Sequence, residues 1–234
     1  MQSALRLVAP IILICLTLSA QEKPLRLTVV VGGHAFDPSF FRVFDPMPEV
    51  RVEVHPHPMA YNRELKGTDV LLLYDMLDEL PEAKRARVRR YLEGGGGVVI
   101  LHHALLDYAD WPFWTTEVAG VKYFRKAEPG QPASTYKHDI EMKIRVVKDH
   151  PVVRGLKDFT IQDEGYKGMW FAPNLNVLLE TNHPDSDRPV AWISPYAKAR
   201  VAVIQLGHGK EAHESPHFRQ LVANAIRWAA RRLN

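Results

Sequence analysis

"GVVILHHALLDY" (residues 97–108) decides how this chain is built. Four glycines, Gly94 to Gly97, release a four-residue apolar run, Val98 to Leu101, that ends in His102 and His103. A short, continuous apolar run bounded by turn residues is the pattern of a strand covered on both faces. Upstream, "PEAKRARVRRYLEGG" places Pro81 at a helix start, puts Val88, Tyr91 and Leu92 on one face, and stops at Gly94 and Gly95. Its basic run, Lys84, Arg85, Arg87, Arg89 and Arg90, fits a solvated face. Before it, "LRLTVVV" (25–31), "VRVEVHP" (50–56) and "TDVLLLYD" (68–75) read as three more strands.

Strand and helix alternating in this rhythm predict an α/β domain, an open and mainly parallel sheet with helices on both faces. The middle of the chain departs from the rhythm. "EMKIRVVKDHP" (141–151), "DFTIQDEGY" (158–166), "NVLLETN" (176–182) and "RPVAWIS" (188–194) are strand-like with little helix between them, which predicts an antiparallel extension. "ARVAVIQLGHG" (199–209) returns to the buried pattern. Phe218, Leu221, Val222, Ala225, Ile226, Ala229 and Leu233 then repeat at helical spacing.

The 234 residues, 46% of them hydrophobic, suit one domain, and a net charge of +3 with no basic stripe argues against nucleic acid as partner. Residues 1–20 read as a secretory signal. Arg6 precedes the apolar stretch Leu7 to Leu18, and Ser19-Ala20 offers cleavage before Gln21. The stretch is short for a membrane span. Ile14 before Cys15 is too large for a lipoprotein signal, and Cys15 is the one cysteine. A cleaved protein of residues 21–234 would be periplasmic or secreted, with no membrane span, disulfide, thiol nucleophile or zinc–thiolate site.

Three apolar strands end alike: "VVVGGH" at His34, "VVILHH" at His102 and His103, and "VAVIQLGH" at His208. Open parallel sheets bind ligands outside the carboxyl ends of their strands. If these strands are neighbours, the imidazoles share one crevice. Neighbouring side chains on a strand diverge, so one of His102 and His103 is expected to be structural. "TIQDEGY" offers Asp163 and Glu164, of which strand alternation turns at most one inward. A carboxylate there can orient imidazoles, act as a base, or join them on a divalent metal, although no metal-specific spacing such as HExxH occurs. His138 in "YKHD" and the aromatics Trp111, Tyr166 and Trp170 are candidates for holding substrate, since flat faces with polar tips suit sugar rings. His150 reads as part of a turn into Pro151, and His213 and His217 as solvent-facing loop residues. No GxGxxG or GxxxxGK[ST] supports a nucleotide.

"GGH", "ILHHA", "DHPVVRGLKDFTIQDEGY", "PVAW", "VIQLGH" and the C-terminal "NAIRWAA" occur in one order across nearly the whole mature chain. Together they resemble the ThuA-like (trehalose utilisation) family. The resemblance implies a class I glutamine amidotransferase-like, flavodoxin-related fold. Amidotransferases carry a nucleophilic cysteine at a sharp strand-to-helix turn, whose counterpart here is His102-His103-Ala104, so glutamine hydrolysis is not expected. The family usually shows one histidine in this turn, matched best by His102, with a small residue where His103 stands. His34, Glu164, Tyr166 and His208 are the other positions carried over. The family link implies a small carbohydrate as partner, a disaccharide or keto-sugar. The expectation is an exported sugar-processing enzyme working by His/Glu acid–base chemistry, with a non-catalytic carbohydrate-binding module or a partner domain as the alternatives.

Overall fold

The inner strands of the parallel half carry two apolar faces, and each face has its own cover; the edge strand, Val50–Pro56, alternates and has no fully buried residue. In the computed structural model, which describes residues 23–234, the first strands are β1 (Leu25–Gly32), β2 (Val50–Pro56) and β3 (Val70–Asp75). The chain continues through α1 (Glu82–Glu93), β4 (Gly97–Leu101) and a short β5 (Val121–Lys122). β6 (Thr135–Val146), β7 (Phe159–Lys167), β8 (Trp170–Phe171), β9 (Asn176–Thr181) and β10 (Pro189–Ile193) follow. β11 (Val201–Ile204), α2 (Lys210–Glu214) and α3 (Pro216–Ala229) complete it. The proposed signal segment, residues 1–20 with Cys15, lies outside the described residues.

Nine strands form one sheet in the order β2-β1-β3-β4-β11-β10-β9-β6-β7. β2, β1, β3, β4 and β11 run parallel, the doubly wound flavodoxin-like order, and β10, β9, β6 and β7 add to it antiparallel. On one face, Val29, Leu72, Val99 and Ile204 pack against Phe218, Leu221 and Ile226 of α3. On the other, Val30, Leu71, Ile100 and Val203 pack against Val88 and Leu92 of α1 and against Trp114 and Trp192. Fully burying each such side chain contributes about 1.5–3 kcal/mol. β5 and β8 pair into a separate two-stranded ribbon that the sequence did not suggest. No helix among the described residues is long and apolar enough to cross a membrane.

The structure moves two expected boundaries. β11 ends at Ile204, because Gly207 takes φ 121° and turns the chain away before His208. β6 begins at Thr135, well before Glu141; its first five residues are exposed and so show no alternation to read.

Candidate functional site

The carboxyl ends of β1, β3 and β4 open into a cavity of about 600 Å³ whose wall includes His34, His102, His103, Glu164 and Tyr166; His208, after β11, touches Glu164 and His102 but is not one of the wall residues. His102 is the first residue after β4. It adopts φ 53°, a left-handed conformation that a residue with a side chain rarely takes, and it sits at the sharp strand-to-helix turn expected for this position. Gly207 packs between this turn and α3: a side chain there would lie 3.6 Å from His102 Cβ and would meet the Phe218 ring at 2.8 Å.

The imidazoles do converge. The ring centroids of His102 and His208 lie 5.2 Å apart, those of His34 and His103 5.0 Å, and those of His138 and His208 4.6 Å. Glu164 is their common partner. Its Oε2 lies 2.7 Å from His208 Nδ1 and 3.1 Å from His102 Nε2, and its Oε1 lies 3.7 Å from His138 Nδ1. His102 Nδ1 donates to the Gln205 carbonyl at 2.8 Å, which fixes the tautomer and turns Nε2 toward Glu164. The Tyr166 hydroxyl, 3.2 Å from that Nε2, then donates to it in the neutral ring.

The electrostatics follow from this packing. Burial works to raise the Glu164 carboxyl, but hydrogen bonds from His102 and His208, with their charges, hold it well below the usual carboxylate range. The same bond to Glu164 raises His208, against the opposing effect of burial. His103 is pushed down to about 2, first by burial and then by the neighbouring His102 and His34. Its Nε2 donates to the Tyr74 carbonyl at 3.2 Å, and its buried Nδ1 has no hydrogen-bond partner.

The pairing of β7 is irregular at Glu164. The register of β6 on β7 steps from Lys137↔Gly165 to Ile140↔Asp163, so two residues, His138 and Asp139, oppose Glu164 alone. Asp139 takes φ 53°. The extra residue, and the bend that a bulge brings, belong to β6, on which His138 sits facing Glu164. Asp163 and Glu164 are both buried, but of the two it is Glu164 that lines the cavity, as the alternation of a strand leads one to expect. The Asp163 carboxylate accepts from the backbone N–H groups of Gly207 at 2.8 Å and His208 at 2.9 Å, so it holds the loop that presents His208.

Other expectations are also revised. Trp111 and Trp170 do not line the cavity. Trp111 is packed in the core, stacked on Trp114 with centroids 6.1 Å apart, and Trp170 belongs to the ribbon of β5 and β8. His213 is not a solvent-facing loop residue. It lies in α2, fully buried, with Nε2 3.0 Å from the Gly207 carbonyl and Nδ1 2.9 Å from Ser39 Oγ. His217 is exposed but stacked on Phe159. His150 is structural: its Nδ1 accepts from Val152 N–H at 3.2 Å. His138 and Tyr166 do line the cavity, joined by Arg125 and Ser134, which carried no sequence signal. The apolar wall residues Met76 and Leu106 adjoin Asp75 and Asp107, two fully buried carboxyls raised by burial. Asp75 is bonded to His57, and Asp107 accepts from Leu77 N–H at 2.8 Å.

Among the described residues, His102, Glu164 and His208 are the group of ligand-type atoms close enough together to hold a metal ion. No curated protein sequence matches the chain significantly. Among solved structures, a ThuA-like protein from Parabacteroides merdae is 20% identical, with a TM-score of 0.78 over 89% of this chain and 90% of its own. One from Bacteroides uniformis is 19% identical, with a TM-score of 0.70 over 90% of this chain and 93% of its own. A GMP synthase-like protein from Thermoplasma acidophilum is 15% identical, with a TM-score of 0.58 over 90% and 96% of the two chains. At these identities the likenesses establish the fold, an amidotransferase-like one. The family model for ThuA, "Trehalose utilisation", matches residues 39–229, and with that span matched the chain belongs to the ThuA family.

Proposed function

We propose that this protein is an exported enzyme that processes a small carbohydrate, a disaccharide or a keto-sugar derivative. The observation that carries the reading is Glu164, a buried carboxylate shared by His102, His208 and His138 at the wall of a cavity of about 600 Å³. That volume falls in the range of small-molecule sites. Glu164 acts as the partner carboxylate. It fixes the orientation and charge of the imidazoles, which polarise or deprotonate a sugar hydroxyl or a carbon beside a carbonyl. Tyr166 gives the site a flat wall. Family membership supports the sugar as substrate class, and histidine where amidotransferases carry cysteine argues against glutamine hydrolysis.

The test is incubation with a panel of disaccharides and their 3-keto derivatives, with and without added divalent metal, followed by product analysis. A sugar consumed with a defined product supports the enzyme. Binding without product would make the protein a carbohydrate-binding module on an enzyme-like fold. Export is tested separately, by mass spectrometry of the mature N-terminus, expected near Gln21.

A further inference from the structure

We infer that His102 Nε2, Glu164 Oε2 and His208 Nδ1 form a binding site for one divalent transition-metal ion of the zinc class. The inference deepens the sugar-site reading and rests on it for what the ion would act upon. Its own support is geometric. The three atoms are separated by 3.1 Å (His102 to Glu164), 3.1 Å (His102 to His208) and 2.7 Å (Glu164 to His208). Ligands held about 2.1 Å from a metal lie roughly 3.0 Å apart at a right angle and roughly 3.4 Å apart at the tetrahedral angle. Two sides of the observed triangle match the right-angle spacing, and the third, Glu164 to His208, is a few tenths of an ångström shorter, so a small opening of that pair completes one face of a coordination sphere. His102 and Glu164 line the cavity, which places the triad at its wall, with His208 on the side away from it.

The surroundings are those of ligands held for a cation. His102 is locked by its Nδ1–H to the Gln205 carbonyl, the outer bond that metal-binding imidazoles commonly make. His208 is placed by the grip of Asp163 on its backbone N–H. Three ligand-type atoms converge on this one space, with the Tyr166 hydroxyl also 3.2 Å from His102 Nε2. A divalent ion satisfies all three at once. Two imidazoles with one carboxylate favour zinc or a neighbouring transition metal over magnesium or calcium. With the ion bound, Glu164, His102 and His208 are ligands, while His34, His103 and His138 remain at the wall outside the coordination sphere.

The experiment needs no sugar. Protein stripped with a chelator is titrated with Zn2+ calorimetrically, its metal content is counted after dialysis, and Co2+ is added as an optical probe of the ligand field. The expected result is one equivalent of Zn2+ and a visible Co2+ band. His208→Ala and Glu164→Gln should each weaken Zn2+ by about 100-fold or more, beyond the 10–100-fold typical of losing an outer-shell partner. His217→Ala, at an exposed histidine remote from the triad, should bind as the parent does. Circular dichroism checks folding, and the partly exposed His208 makes its truncation the safer variant. Absence of stoichiometric Zn2+ in the folded parent, or unchanged affinity in His208→Ala, would overturn the site. Full sugar turnover by chelated protein would also overturn it while sparing the enzyme reading. Zn2+ bound with no sugar consumed would do the reverse.

Discussion

The parallel and antiparallel halves of the sheet are built on different rules, and the site needs both. In β3 every residue from Val70 to Asp75 is buried, and in β4 every residue from Gly97 to Leu101. In β6 burial alternates, with Ile140, Met142 and Ile144 inside and Glu141, Lys143 and Arg145 outside. The first half is a rigid base whose strand ends present imidazoles. The second has one free face and room for a bulge, and it delivers the carboxylate. A site made by the parallel half alone would be histidine without its counter-charge.

The comparison is broken most severely in the core of the parallel half. Leu72→Ala should cost about 3 kcal/mol or more, and Leu71→Ala on the opposite face about the same, since both are fully buried. Denaturant unfolding measures both, and a cost below about 1 kcal/mol at either position would contradict the two-sided burial. Next is the meeting point of the halves. Glu164→Gln keeps size and hydrogen-bonding shape but removes the charge, so turnover of the sugar identified from the panel should fall by about 100-fold or more with the fold retained. Full turnover in that variant would remove Glu164 from the chemistry.

Asp163→Asn comes third. It leaves one acceptor oxygen for the N–H groups of Gly207 and His208, and stability should fall by about 1–3 kcal/mol. An unchanged midpoint would mean that the loop is held by other contacts. The fourth concerns pH. His213, buried and tied to the Gly207 carbonyl, is pushed down to about 4, mainly by burial. The unfolded chain takes up a proton near 6.5 that the folded chain refuses. This residue's contribution is therefore complete above 6.5 and declines by about 1.4 kcal/mol per pH unit as the pH falls toward 4. Unfolding midpoints between pH 7 and 4.5, for the parent and for His213→Gln, measure this slope; it should be smaller in the variant. The smallest effect belongs to the free face of the extension, where Lys143→Ala should stay within about 0.5 kcal/mol.

The parallel half was legible because strands buried on two faces appear as continuous apolar runs, so the histidines that end them stand out. The convergence of His34, His102, His103 and His208 followed from topology. What was hidden is where local pattern and three-dimensional need diverge. Alternation along "TIQDEGY" assigns Asp163 and Glu164 to opposite faces, and Glu164 is the one that lines the cavity, but nothing in that stretch tells that Asp163 is buried too or that β6 carries a bulge opposite Glu164. Asp163 was hidden because its partners, the backbone N–H groups of Glu164, Gly207 and His208, leave no mark on side-chain identity. His213 lay in a polar, histidine-rich stretch, and only the fold shows that Ser39 and the Gly207 carbonyl supply its bonds. Trp111 and Trp170 show the opposite failure: aromatic character is equally suited to a core and to a sugar, and local sequence does not separate the two uses.

The path of the chain also sets the order in which the molecule can come into being. β4 has β11 as its second parallel neighbour, with Val98 opposite Val201, and all the strands of the extension are made in between. During synthesis the wholly apolar edge of β4 must therefore wait for about a hundred further residues before it is closed. His102 meets His208 only when 106 positions separate them along the polymer. Contacts that distant are slow to form, and an unpaired strand edge is the feature most open to association with other chains in the meantime. A nascent chain halted before Val201 holds most of the fold's strands and none of its completed chemistry.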